Sequence, residues 1–151
     1  MTRDWADELA LLQEVYSTGN LVGFLVNREL EADGISPRLY SFVGWLHLLA
    51  PVTPGRLAEE TGMPATTIRD YIRELVERGD VRKVANPEDG RSYLLELTVQ
   101  GNALADSGRP ALARAYQQLA PRLKRPPDEY IAATVELRLA LRETLAEGGA
   151  G

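Results

Sequence analysis

Cysteine is absent from these 151 residues, and histidine occurs once, at His47. Without a thiol there is no disulfide, no thiolate nucleophile and no thiol-based redox sensing. Zinc sites draw several ligands from Cys and His, so a single histidine argues against that chemistry as well, and no metal or other cofactor is expected. Lysine is nearly missing too: 15 of the 17 basic residues are Arg, and only Lys83 and Lys124 are Lys. Guanidinium suits bidentate and phosphate contacts, although an Arg-rich codon bias gives the same composition. There is no uninterrupted apolar run of about 18 residues and no basic-then-apolar leader. A soluble, cytoplasmic chain without a membrane partner is the expectation. Catalytic signatures are missing as well. There is no G-x-S-x-G, no phosphate loop and no carboxylate pair in helical register, and His47 has no serine or cysteine partner suggested by the sequence. An enzyme is not expected.

What is present centres on Thr53 to Thr98. Thr53-Pro54 is a helix start, a hydroxyl N-cap followed by a residue whose missing N–H costs nothing in the first turn. Leu57, Ala58 and Thr61 share one face of that short helix, and Gly62 permits a sharp turn. From Pro64 a second helix carries Ile68, Ile72, Leu75 and Val76 as an apolar stripe. Thr66, Thr67, Arg69, Asp70 and Arg73 are left on its outer face. Two helices joined by a tight glycine turn, the second bearing Arg outside, make a helix-turn-helix. Gly79 ends that helix. Val81–Ala85 and Ser92–Thr98 read as strands around the turn-rich Asn86-Pro87-Glu88-Asp89-Gly90. A hairpin placed there is a wing.

LAEETGMPATTIRDYIRELVERGDV followed by NPEDGRSYLLELTVQG resembles the MarR family of winged-helix transcription regulators. The family's wing carries an Asp-x-Arg signature, which Asp89-Gly90-Arg91 matches. The resemblance implies a fold that is mainly α with a small β-hairpin wing, a winged helix-turn-helix core flanked by N- and C-terminal dimerisation helices. Residues 1–151 then form a single domain, with the DNA-binding lobe at 37–98 and the dimerisation region at 1–34 and 99–147.

The flanks agree in pattern. Residues 3–32 read as one long helix with Trp5, Leu9, Leu12, Tyr16, Val22, Leu25 and Val26 in its apolar stripe. Gly19-Asn20 weakens its middle, and Gly34 stands just past its end. Ser36-Pro37 opens a helix whose stripe is Leu39, Phe42, Val43, Leu46 and Leu49. Trp45 lies beside that stripe, and Tyr40, Gly44 and His47 share a third face. Thr98 caps a helix from Val99 to about Ala120, in which Gly108 and Pro110 impose a kink or break where the family has a continuous helix. A last helix follows Pro126-Pro127, with Ile131, Val135, Leu137, Leu141 and Leu145 apolar and Glu147–Gly151 as a frayed tail.

The resemblance implies double-stranded DNA as partner, read by a homodimer on a pseudo-palindromic site with half-sites about one helical turn apart. The candidate contacts are Thr66, Thr67, Arg69, Asp70 and Arg73 in the major groove and Arg82, Lys83, Asp89 and Arg91 on the wing. The net charge of −5, with seven Arg/Lys against eight Asp/Glu over 54–94, makes placement of charge matter more than its sum. Many family members are repressors released by a small aromatic or amphipathic effector, for which Tyr16, Arg38, Tyr40, Trp45 and His47 are the candidate lining. The alternative function is a winged helix used only as a protein-interaction module.

Overall fold

A computed structural model describes residues 5–148. The expected helix start at residue 3, the side chain of Trp5 and the tail residues 149–151 lie outside the described residues. The chain is mostly helical with one antiparallel hairpin, in the order α1 (Trp5–Ala32), α2 (Pro37–Leu49), α3 (Pro54–Thr61), α4 (Ala65–Arg78), β1 (Val81–Ala85), β2 (Tyr93–Leu97), α5 (Val99–Ser107), α6 (Arg109–Leu119), a short 3-10 turn (Ala120–Arg122) and α7 (Pro127–Gly148).

The helix starts follow from local chemistry. Ser36, Thr53 and Thr98 each accept an N–H three residues on, at Leu39, Arg56 and Gly101. Gly34, Gly62 and Gly79 sit at positive φ, where α1, α3 and α4 end. α1 runs unbroken through Gly19-Asn20. α7 is helical through Gly148, so Glu147 and Gly148, expected in a frayed tail, belong to the helix.

The main core joins α2, α3, α4 and the hairpin through Phe42, Val43, Leu46, Leu57, Ile68, Ile72, Leu75 and Leu95. Val76, expected in the α4 stripe, is exposed instead; Tyr71 packs there, its ring stacked on Phe42 at 4.8 Å between centroids. The hairpin register pairs Val81 with Leu97 and Ala85 with Tyr93, and Val52 bridges to Leu95. A smaller cluster of Leu30, Tyr40 and Ala111 ties α1 and α2 to α6. Tyr40, on the third face of α2 with Gly44 and His47, is thus buried. Its burial raises the phenol's pKa.

Two junctions explain glycines. A Cβ at Gly101 would lie 1.9 Å from the Asp80 carbonyl oxygen, so α5 approaches that turn only without a side chain. Asp80 is itself buried, its carboxylate accepting from Arg78 at 2.7 Å and Gln100 at 2.9 Å. A Cβ at Gly108 would lie 2.0 Å from the Tyr40 ring.

By length and composition Asp7–Ala32 of α1 could cross a membrane, although its apolar residues are interspersed with polar ones. Leu9, Leu12, Tyr16, Leu21, Val22 and Phe24 on that helix are exposed. Ile131, Val135, Leu139, Leu141 and Leu145 are exposed on α7. Among the described residues these side chains are left exposed.

Candidate DNA-binding surface and cavity

The outer face of α4 carries Thr66, Arg69, Asp70 and Arg73 in the open, and Thr67 is half-buried. They face out because Ile68, Ile72 and Leu75 take the opposite face into the core. Arg69 reaches back only to the carbonyl of Ala65 at 3.4 Å, with no carboxylate partner among the described residues. Arg73 is held differently: its Nη2 donates to Asp70 Oδ1 at 2.8 Å. That pair removes a net charge from the helix face and fixes both side chains in one register.

In the wing, Asn86 and Asp89 shape the turn. The Asn86 side chain accepts from the Glu88 N–H and donates to Ser92 Oγ at 2.7 Å. Asp89 Oδ1 accepts the Arg91 backbone N–H at 3.0 Å, and its carbonyl accepts from Ser92. Asp89 therefore builds the turn, while the Arg91 guanidinium has no carboxylate partner among the described residues. Arg82 is spent within the hairpin, donating twice to Glu96 at 2.7 and 3.0 Å across the strand pair. Lys83 lies over the Tyr93 ring, 4.6 Å from its centroid, and keeps its charge exposed. Of the five basic side chains expected to meet DNA, Arg69, Lys83 and Arg91 are available and Arg73 and Arg82 are internally paired.

The effector candidates divide. A cavity of about 390 Å³ opens between α1, α2, α5 and α6, and Tyr40, Trp45 and His47 line it. Tyr16 and Arg38 do not. Tyr16 is exposed on α1. Arg38 donates to Glu74 at 2.5 Å and lies over the Tyr71 ring. The Glu74 hydrogen bond raises the pKa of Arg38 further above its ordinary value.

The walls that sequence reasoning missed include Ser41 and Gly44 of α2, Val26 and Leu30 of α1, and Arg109 and Leu112 of α6. Helical periodicity could have offered Leu30 and Leu112; nothing local marks Arg109, which reaches the cavity only because α6 folds back along α1. The lining is mostly apolar with one cation, Arg109, which also pairs with the exposed Asp106 at 3.1 Å, and with His47, an amide and hydroxyls, so it can take an apolar ring and hold a polar end.

A second, wider cleft separates α7 from the α3–α4 turn, where Arg56, Arg138 and Arg142 all pair with Glu60. Glu59 and Glu143 border it as well, so its charge is balanced.

α1 and α6 are joined by ions. Glu29 takes hydrogen bonds from Gln118, Arg114 and Arg28, and Arg114 also reaches Asp33 at 2.9 Å. These donors, Gln118 foremost, lower the Glu29 pKa to about 2.

The MarR family model matches residues 33–92. Solved structures share the fold over most of the chain. They include a mutant MarR from E. coli complexed with operator DNA (22% identity, TM-score 0.71, covering 92% of this chain and 99% of that one). A MarR transcriptional regulator from Methanosarcina mazei has 17% identity and a TM-score of 0.69, covering 89% and 97%. CouR from Rhodococcus jostii bound to p-coumaroyl-CoA has 23% identity and a TM-score of 0.69, covering 93% and 96%. No curated protein matches the chain. The MarR family model thus matches the part of the chain that holds the helix-turn-helix and the start of the wing, and the described residues have the fold of the solved MarR proteins.

Proposed function

We propose that the chain is a sequence-specific double-stranded DNA-binding transcription regulator, a repressor acting as a homodimer. The observation that carries this is the pairing of an exposed α4 face with a wing, each holding an Arg without a carboxylate partner among the described residues, Arg69 and Arg91. Arg at those places can grip guanine in the major groove and a phosphate or minor-groove wall beside it. The solved MarR complexed with operator DNA supports the same use of the fold.

A second copy is the occupant of the uncovered α1 and α7 faces. The chain exposes 10748 Å², about two-fifths more than the roughly 7,600 Å² of a compact monomer of its mass. That excess is on the scale an obligate homodimer buries. Two-fold symmetry then requires a pseudo-palindromic site.

The cavity between α1, α2, α5 and α6 is the effector site in this reading. A small aromatic or amphipathic molecule with a polar end suits Tyr40, Trp45, His47 and Arg109. The CouR structure bound to p-coumaroyl-CoA supports that class. Release follows if the molecule binds the DNA-incompetent arrangement better than the competent one.

Selection of bound duplexes from a random pool tests the function. An enriched inverted repeat, bound at least about 10³-fold tighter than scrambled DNA, is the expected result. No enrichment, with only salt-sensitive general binding, overturns it, and capture of a protein partner by a chain with no affinity for DNA would favour an interaction module instead.

A further inference from the structure

Where one long helix would join the DNA-binding lobe to the rest, this chain has two. α5 ends at Ser107 and α6 begins at Arg109. Pro110 has no N–H to donate to the carbonyl of Asp106, one turn earlier. Gly108 stands between them, and the space that its Cβ would fill belongs to the Tyr40 ring, whose Cε2, Cζ and Oη would all lie within 2.7 Å. The Tyr40 hydroxyl donates to the carbonyl of Ala105 at 3.3 Å, in the last turn of α5. The ring is therefore seated in the break and pinned to one side of it.

The break also stands at a boundary. α5 packs on α2 and β2, the DNA-binding lobe, whereas α6 packs on α1. Tyr40 comes from α2, and beyond the break it lines the cavity with Leu30, Ala105 and Arg109. One side chain, Tyr40, thus both fills the glycine notch and forms part of the cavity wall.

We propose that the α5–α6 break is a hinge and that Tyr40 is the wedge setting its angle, so that a cavity occupant changes the spacing of the two DNA-binding lobes by moving Tyr40. This rests on the cavity being the effector site of a DNA-binding dimer. Bistable packing at such a point turns a small displacement into a rigid-body rotation.

The absence of cysteine makes the test direct. Glu88→Cys places one spin label on each exposed wing of the full-length dimer, and pulsed dipolar spectroscopy reads the wing-to-wing distance. Gly108→Ala drives the ring from its notch, and Pro110→Ala returns the missing N–H so that the helix can run through. Gly44 lines the cavity and a Cβ there meets nothing within 4 Å, so Gly44→Leu fills it without any ligand. All three should move the wing-to-wing distance and weaken operator binding about tenfold, a usual size for coupling between sites. Pro110→Ala should do so with an unfolding midpoint no lower than the parent's, which separates a hinge effect from lost stability. Tyr40→Phe keeps the wedge without its pin, and should broaden the distance distribution about an unchanged mean. A dimer that binds operator with the parent's distances and affinities in all these variants overturns the hinge. Failure of the unsubstituted chain to dimerise or to bind DNA overturns the underlying reading instead.

Discussion

Arg73 Nη2 lies 2.8 Å from Asp70 Oδ1, one turn apart on the exposed face of α4. Both side chains are well exposed, so the pair adds little stability. On the proposed DNA-binding surface its effect would be on recognition: Asp70 holds Arg73 in one direction and subtracts a charge that every phosphate would otherwise attract. Asp70→Ala should therefore raise affinity for scrambled duplexes, steepen the salt dependence by about one phosphate contact and narrow the ratio of specific to non-specific binding. Titrations on both duplexes at several salt concentrations measure all three. An unchanged non-specific affinity would show that Arg73 is already committed elsewhere.

Arg69 and Arg91 should fail in different ways when replaced by alanine. Arg69 follows the core residue Ile68, so its side chain leaves the core, on the face proposed to meet base edges. Its loss should cost about 1–3 kcal/mol at one base pair and relax the choice there. Arg91 follows the Asp89 turn, and its loss should weaken all sequences alike, or A·T-flanked ones selectively, lowering the salt slope by about one. Relaxed major-groove choice in Arg91→Ala but not in Arg69→Ala would reverse the placement of helix and wing.

The features readable in the sequence were those set by neighbours in the chain. Thr53-Pro54, Ser36-Pro37 and Thr98 announced helix starts because capping needs only three residues, and Gly108 with Pro110 announced a break because proline's missing donor is local. Positions set by distant partners were not readable. Tyr40 was legible as a pocket candidate, but not as the ring seated against Gly108, because that notch is made far along the chain. Arg82 looked available for DNA because Glu96 becomes its partner only in the hairpin register. Tyr16 and Arg38 were chemically suited to a pocket, but α1 points one at solvent and Glu74 holds the other.

Gly101 is where α5 crosses closest to the turn after α4. Thr98 Oγ1 donates to the Gly79 carbonyl at 2.6 Å and accepts the Gly101 N–H, so the helix start cannot slide away. Gly101→Ala, with its Cβ 1.9 Å from the Asp80 carbonyl, should destabilise the lobe by about 1–3 kcal/mol, as overpacking does. Thermal or denaturant unfolding reads this. Stability equal to the parent would mean that the α4–β1 turn yields freely.

Leu12→Glu and Phe24→Glu should each leave the described fold of one chain intact and abolish the dimer, because both side chains are exposed on α1 in a single copy. Sedimentation should give about twice 16.6 kDa for the parent and 16.6 kDa for the variants. A parent that stays at 16.6 kDa at micromolar concentration refutes the dimer. Should it instead float with lipid vesicles, the apolar length of α1 would be serving a membrane.

Acid should loosen α1 from α6 before it unfolds the DNA-binding lobe. Glu29 is the hub of that junction, accepting from Gln118, Arg114 and Arg28, and its carboxyl is lowered from 4.5 to about 2. A folded-state value below the unfolded one means that the ionised form stabilises the fold. That contribution is complete above the unfolded value near 4.5 and is lost as pH falls from there toward 2. Glu29→Gln should remove it at neutral pH and flatten the decline of stability between those limits. Hydrogen exchange in α1 and α6, followed with pH in both forms, locates the loss. A parent and variant that weaken in parallel below pH 4.5 would show that other carboxylates, and not Glu29, set the acid limit of this junction.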